Sequence, residues 1–417
     1  MTAEIAILTR SAVALAADSA VTVGKERVWK NTNKLFSVSI NNDVGIMIWN
    51  SGDYCGVPWE IVIKAYRAKI RERIFDYLYE LREDFVDFLS DFSGPSKNLN
   101  NLNLMTCFVN SIVDCCEHID TISGGLKKRK SFLDSVELQI ENAKDLPIIN
   151  DKYGRDAFAR LYSKMIKSFM VELAKIHVTS TMHSKMITLC YERSRRQYIS
   201  SFETGVVFAG YGDKEIFPSL EEIVVDGKYG QDVRSWVTST HNLNKEENKA
   251  SVVIPFAQSD IAYLFMEGMQ LDYLDFIHGT TLGILNEKSK RIVDEYVQEK
   301  DRMVERARQE SDNKVLVKGL MDEFKKMRIE EVIKPMLRVV SSLPKEEMAA
   351  MAEALVEITS LRRKIDSKIE SVGGPVDVAV ISKSDGFVWI KRKHYFDLEI
   401  NQDFNSRRTR KYGGSST

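Results

Sequence analysis

Thr2, Asp18 and Lys34 stand at equal intervals of 16 positions near the start of the chain. Together they supply a hydroxyl, a carboxylate and an ammonium. A Thr hydroxyl is a weak nucleophile unless a base sits beside it. Methionine aminopeptidase removes an initiator Met when the next side chain is small, so processing would leave Thr2 with a free α-amino group. That amine, of ordinary pKa about 7.7 to 8.0, is a general base attached to the nucleophile itself. A lysine beside it favours the alkoxide and keeps the amine neutral by like-charge repulsion, and a carboxylate holds the lysine in place. The chemistry is nucleophilic attack on a carbonyl through an ester intermediate.

Strands must bring such residues together. Residues 2 to 9 (TAEIAILT) and 12 to 18 (AVALAAD) are short apolar runs joined at Arg10 and Ser11. A period of two places Ile5, Ile7, Val13 and Leu15 on one face. A turn at Arg10 makes paired positions sum to about 20, which sets Thr2 opposite Asp18. Residues 34 to 40 and 44 to 50 read as a second hairpin about Asn41, Asn42 and Asp43, with Lys34 opposite Trp49 or Asn50.

Beyond these hairpins, apolar residues recur every three or four positions from Pro58 to Gly94, predicting one long helix. A second helical stretch runs from about Arg155 to Ser200. Strand signals return at Gly205 to Tyr211, Leu220 to Val225 and Ala250 to Phe256. A charged helical stretch covers about Asn286 to Lys334, and another helix runs from Pro344 toward Ser367. Val376 to Ser382 and Phe387 to Arg392 flank Asp385-Gly386, a strong hairpin turn. The tail from Ser406 reads as flexible. Sheet-forming blocks separated by long helical ones predict a sheet core with helical insertions.

Composition narrows the function classes. Lys plus Arg is 59 and Asp plus Glu is 60, a net charge of −1, so no global field recruits nucleic acid or an anionic membrane. Hydrophobic residues at 44% and charged residues at 29% suit a globular core. No run approaches the roughly 18 apolar residues of a membrane span. The first residues, with Glu4 early and Asp18 interrupting the small apolar run, do not read as a secretory signal, which predicts a cytoplasmic protein. Five cysteines, an odd number, predict reduced thiols and no disulfide. Cys115, Cys116 and His118 fit no tetrahedral set, and the histidines are scattered, so neither metal nor cofactor is expected. Lys127 to Lys130 (KKRK) reads as a solvated basic run.

The run AVALAADSAVT, with Asp18, followed by TNKLF, with Lys34, resembles the start of proteasome β subunits and their bacterial relatives, the N-terminal nucleophile (Ntn) hydrolases. The segment from Gly205 (GVVFAGYGDKEIFPSLEEIVVDG) is similar to that family's central strand pair. The closing segment from Ser371 (SVGGPVDVAVISKSDGFVWI) is similar to its Gly-Gly stretch and last strands, especially in the ancestral-β-subunit branch. This resemblance implies an α+β fold, a four-layer αββα sandwich, here with long helical insertions. It implies Thr2 as nucleophile, Asp18 and Lys34 as its partners, and Ser259, in FAQSDIAYLFMEG, as the residue orienting the amine. It covers about the first 56 residues, the block from 204 to 270 and the end from about 344. The implied organisation is core strands in 1–56, helices in 57–203, core strands in 204–270, a helical insertion in 271–343, the closing helix and strands in 344–395, and a tail in 396–417.

Two departures bear on substrate. Where the family has a glycine at its oxyanion hole, GIMIWNSGD places Trp49 beside Asn50 and Ser51, and an indole there would fill the groove for a peptide strand. The Asp-x-x-Ser ahead of the Gly-Gly pair is missing, with Val372 at the serine's position. The resemblance further implies that Val21, Thr22, Thr32, Met47 and Ser51 line the pocket before the scissile bond. The leading expectation is a threonine hydrolase that cleaves peptide bonds in a peptide or protein substrate. The rivals are an inactive scaffold whose helical insertions bind a protein partner, and an amidohydrolase of a small amide. Homo-oligomerisation is compatible with the resemblance.

Overall fold

The computed structural model describes residues 3–23, 27–29, 32–94, 99, 101–117, 124–246, 249–257, 260–366, 373–394, 396, 399–401 and 403. The chain opens with strands β1 (Ala3–Thr9), β2 (Val13–Ala17), β3 (Val21–Val23), β4 (Arg27–Trp29), β5 (Leu35–Ser37), β6 (Val44–Asn50), β7 (Asp53–Tyr54) and β8 (Val57–Pro58). Helices α1 (Trp59–Ile70), α2 (Leu78–Asp91), α3 (Leu102–Cys116), α4 (Gly125–Lys144), α5 (Arg155–Leu173) and α6 (Ser180–Ser194) follow. Next come β9 (Thr204–Gly210), β10 (Ser219–Tyr229), β11 (Asp232–Asn242) and β12 (Ser251–Ala257). Then come α7 (Asp260–Glu267), α8 (Leu271–Tyr296), α9 (Arg302–Arg328), α10 (Lys334–Val340) and α11 (Lys345–Asp366), and the hairpin β13 (Asp377–Ser382) and β14 (Gly386–Lys391). The fold is mixed α and β, with antiparallel pairing in every strand pair described below.

Contacts divide the chain into two compact units. The first holds Met1–Thr32, Lys245–Val380 and Val388–Thr417, and the second holds Asn33–Asn244 and Ile381–Phe387.

The first unit is built on a sheet of order β12-β1-β2-β13-β14. On one face Ile5, Ile7, Ala14, Ala16, Val253 and Val378 pack against Met348, Ala349, Ala352 and Val356 of α11. The β1–β2 register differs from the sequence expectation. Glu4 pairs with Ala17 and Ile7 with Ala14, so paired positions sum to 21. The cause is the Thr9 side chain: its Oγ1 accepts the amides of Ser11 and Ala12, each at 3.3 Å, and closes a two-residue turn at Arg10 and Ser11. That one-residue shift sets Ala3, rather than Thr2, beside Asp18. It also separates Ile5 and Ile7 from Val13 and Leu15, which share the other face with Ala6 and Leu8. Both faces are buried.

The charged stretch near the middle of this unit is a helical hairpin. Val293, Asn313 and Val317 are buried between its arms, and Asn313 Nδ2 bonds Asn286 Oδ1 at 2.9 Å and Ser289 Oγ at 3.0 Å. The second arm runs through a π-helical turn at Ile329–Ile333 into α10.

The second unit is built on a sheet of order β11-β10-β9-β6-β5. Phe36, Ile46, Ile48, Val206, Phe208 and Ile223 form one face, covered by Trp59, Tyr66, Leu81 and Phe85 of α1 and α2. These helices are not the single helix the periodicity predicts. The first ends at Arg71, with φ 30°, and the next begins at Leu78. Phe75 is buried in the core there, and the carbonyls of Phe75 and Asp76 accept the amides of Asp213 and Lys214 at 2.9 and 3.0 Å. The break thus gives β9's outgoing loop its hydrogen bonds, and the apolar repeat passes through it because both helices face one sheet.

Helices α3 to α6 form a core of their own around Phe108, Phe132, Phe158, Ile166, Met170 and Met186. The expected stretch from Arg155 to Ser200 is split at Lys175, with φ 49°, and restarts where Thr179 Oγ1 accepts the amide of Met182 at 3.3 Å. A fully buried pair, Arg234 Nη1 to Asp226 Oδ2 at 2.6 Å, joins β11 to β10 and anchors this bundle. Arg234 also donates to the carbonyls of Ser194 at 2.9 Å and Tyr198 at 2.8 Å, while Asp226 accepts Asn103 Nδ2 at 2.9 Å.

Candidate functional site

Asp18 follows the last residue of β2 and is fully buried. Its carboxylate is fixed by backbone amides: Ala3 N at 3.2 Å to Oδ1, and Gly373 N at 3.0 Å and Ala20 N at 3.4 Å to Oδ2. Its own amide donates to the Ala3 carbonyl at 3.1 Å. Charge-assisted bonds of this kind are roughly twice as strong as neutral ones. The carboxylate is therefore tied to the residue directly after Thr2.

The Gly-Gly stretch has a structural task. Gly373 has φ 144° and Gly374 φ 83°, backbone that L side chains rarely adopt. Through it Gly373 turns its amide toward Asp18 and its carbonyl toward the amide of Ser19, at 3.3 Å, while Ser19 Oγ donates to the Pro375 carbonyl. The motif was legible in the sequence, but its amide as an Asp18 ligand was not, because backbone donors leave no signature in side-chain type.

Lys34, in the second unit, is 2% exposed. Its carbonyl accepts the amide of Ile48 at 2.9 Å, and the register continues as Leu35 opposite Met47. Lys34 is thus opposite Ile48 and not Trp49 or Asn50, because the connection is longer than a turn at Asn41 to Asp43: the Val38 amide donates to the Val44 carbonyl at 3.0 Å, which leaves residues 39–43 in the loop and centres it on Asn41. Asn42 Nδ2 holds this bend by donating to Ser39 Oγ at 2.7 Å and to the Arg73 carbonyl at 2.8 Å.

Trp49 is committed to its own sheet. Its indole lies on Gly205 of β9, where an added Cβ would stand 1.9 Å from Cε2, and its Nε1 donates to Glu222 Oε1 at 3.0 Å. Glu222 also accepts Thr238 Oγ1 at 2.8 Å. Burial pushes its carboxyl above the ordinary range, while these two donors work the other way. The expectation of an indole filling a peptide groove gives way to an indole stacked along β9. Gly205 permits this and was the available signal; Glu222, in an otherwise ordinary strand, had none.

The residues after Trp49 are fixed to the start of β9. Asn50 has φ 70°, a conformation Asn tolerates better than most residues, and its Nδ2 donates to the Glu203 carbonyl at 3.0 Å and to Oε1 at 2.9 Å. The Ser51 amide donates to the Glu203 carbonyl at 3.3 Å. Trp59 Nε1 donates to Thr204 Oγ1 at 3.0 Å, and that hydroxyl donates to the Ser51 carbonyl at 3.4 Å.

Of the other residues expected to act, Thr2 and Ser259 lie outside the described residues, as do His118, Val372 and the tail from Ser406. Met47 is fully buried. Val21 and Thr22 belong to β3, which pairs with β4, and the Thr32 amide donates to the Ser19 carbonyl at 3.1 Å. The five cysteines are free thiols. Among the described residues no three His, Cys, Asp or Glu side chains gather as a metal site, and no helix is long and apolar enough to cross a membrane.

No protein-family model and no curated protein matches this chain. Solved structures align over its length at low similarity. Anbu (ancestral beta-subunit) from Yersinia bercovieri is 10% identical, with 100% of this chain and 98% of that one covered and a TM-score of 0.27. The Anbu (Gly-1) mutant from Hyphomicrobium sp. strain MC1 is 9% identical, with 100% and 99% covered and a TM-score of 0.29. Anbu from the same strain is 7% identical, with 99% and 98% covered and a TM-score of 0.27. Likeness of this size leaves the chemistry of the chain to be read from its own residues.

Proposed function

We propose that this chain is a proteasome-related Ntn hydrolase of the αββα class that cleaves peptide bonds in the cytoplasm with Thr2, exposed by removal of Met1, as its nucleophile. The observation that carries the reading is the buried Asp18 carboxylate, bonded to the amide of Ala3, the residue after Thr2. A carboxylate buried just past the end of β2 and held by three amides is costly to bury as mere packing and suits a fixed electrostatic role.

In this mechanism the neutral Thr2 amine takes the hydroxyl proton, directly or through water, as Oγ attacks the carbonyl carbon. In this reading the tetrahedral oxyanion is met by the backbone amide of Asn50, the Trp49 amide being turned toward Gly205 in the β6–β9 ladder. Collapse breaks the C–N bond, the proton passes from the ammonium to the leaving amine, and an ester remains on Thr2. Water, deprotonated by the same amine, hydrolyses the ester and restores the hydroxyl. Lys34 stabilises the developing alkoxide, Asp18 fixes the backbone next to Thr2 through the Ala3 amide, and Ser259 orients the amine.

The test is a tag-free preparation assayed against a fluorogenic peptide library beside Thr2→Ala. Turnover in the parent that disappears in a folded Thr2→Ala protein supports the reading, and equal turnover in both refutes it.

A further inference from the structure

Helix α8 carries a face that the described chain leaves uncovered. Asp272, Phe276, Gly279, Gly283 and Lys290 recur at helical spacing and share that face, and all five are exposed. Phe276 is 68% exposed, and Tyr273 and Ile284 at the border of the face are 59% and 64% exposed. Large apolar residues gathered on one helix face and rimmed by charge mark an interface. The seam with α9, where Val293 is buried, runs along a different side of α8.

Two glycines in the middle of a helix need a reason, since each makes it less stable than alanine would. Their own surroundings supply none: a Cβ added at Gly279 or at Gly283 would meet no atom of another described segment within 4 Å. A missing Cβ lets a second backbone approach closely.

Charge and shape both select a second copy of this chain. The first half of α8 bears Asp272 and Asp275 and has no Lys or Arg before Lys288, where Lys288, Lys290 and Arg291 gather. The acids nearest those cations, Glu287 and Asp294, are paired with Arg291 and Arg306. An antiparallel helix of the same sequence therefore sets acid against base at both ends. A two-fold axis level with Thr281, midway between the glycines, places Gly279 against Gly283, Asp272 against Lys290 and Phe276 against Asn286. Asn286 is where the surface is concave: with Gly283 and Lys290 of α8 and Arg306 and Glu310 of α9 it lines a groove of about 240 Å³. A cavity of about 150 Å³ already admits benzene. A phenyl ring in the groove lies over glycine backbone, between the stems of Lys290 and Arg306.

We propose that α8 is a homodimerisation helix. Two copies of the chain pack antiparallel across Gly279 and Gly283, with Phe276 of each in the groove beside Asn286 of the other and Asp272 of each paired with Lys290 of the other.

The experiment is sedimentation velocity of the full chain from about 1 to 50 µM, beside Gly283→Leu, Asp272→Lys and Lys290→Asp. Gly283→Leu puts its side chain into open space in the single chain, so the variant folds, with a melting temperature at or above the parent's. The parent should dimerise, and each variant should associate at least about tenfold more weakly. A dimer of two Asp272→Lys chains, or of two Lys290→Asp chains, opposes like charges at both ends. An equimolar mixture of the two pairs opposite charges and should regain parental association. A parent that stays monomeric up to about 50 µM, or association that Gly283→Leu leaves unchanged, overturns the proposal. Weakening without rescue in the mixture overturns the antiparallel arrangement. If the parent forms an assembly larger than a dimer, Gly283→Leu should halve its mass, and unchanged mass overturns the proposal as well.

Discussion

Gly373 and Asp18, 355 positions apart, are joined by a 3.0 Å amide-to-carboxylate hydrogen bond. The bond makes the geometry at the start of β1 depend on a backbone conformation near the end of the chain. Gly373→Ala forces a Cβ onto φ of 144° and is expected to cost about 1 to 3 kcal/mol. Asp18→Asn keeps the shape but turns an NH2 toward amide donors, for about 1 to 3 kcal/mol. Urea unfolding of the two single mutants and the double mutant checks the coupling. The double mutant should lose less than the sum of the singles, and strict additivity would contradict a shared network.

Gly205→Ala tests the seat of Trp49. Its Cβ would enter the indole, 1.9 Å from Cε2, and expulsion of the ring should cost about 1 to 3 kcal/mol. The loss of the Nε1 bond to Glu222 should red-shift the Trp49 emission, read against Trp49→Phe. Unchanged emission and stability would place the indole elsewhere.

Arg234→Met probes the bond between helical bundle and sheet. It leaves Asp226 buried without its guanidinium and strands the carbonyls of Ser194 and Tyr198. A loss of about 3 to 5 kcal/mol is expected, a large part of a typical domain's stability. Chemical denaturation of the variant checks it, and a loss below about 1 kcal/mol would contradict the network's role.

The thiols give a pH-dependent prediction. Burial pushes Cys55 and Cys107 up to about 11 and Cys115 to about 12, and raises Cys190 well above its usual value. A raised thiol pKa means the protonated, unreactive form persists at pH 8, and all four side chains are also enclosed. Ellman's reagent at pH 8 should react quickly with the half-buried Cys116 alone in the native protein, and with all five cysteines after denaturation. Fast reaction of two or more native thiols would contradict the burial.

Much of the sheet framework was legible because short, near-continuous apolar runs coincide with β1, β2, β6, β9 and β13, strands buried along nearly all of their length. Register was less so. The Thr9 side chain shortens the first turn by one residue, and no propensity distinguishes that from a longer turn. β11 escaped the sequence reading because it is an edge strand with many exposed polar positions, so its alternation is diluted. The break between α1 and α2 was hidden because it contains no Gly or Pro and exists to bond the loop at Asp213. At the candidate site, Asp18 and Lys34 stood out by type and spacing. The amides that hold Asp18, and Gly205 as the bed of Trp49, follow from tertiary contacts between segments far apart in sequence.

The most direct test is intact-mass analysis and N-terminal sequencing of tag-free protein before and after exposure to a peptide epoxyketone. A chain that begins at Thr2 and gains one stoichiometric adduct at that residue, absent in Thr2→Ala, is the expected result. A chain that retains Met1, or one that begins at Thr2 and forms no adduct there, would contradict Thr2 as the nucleophile.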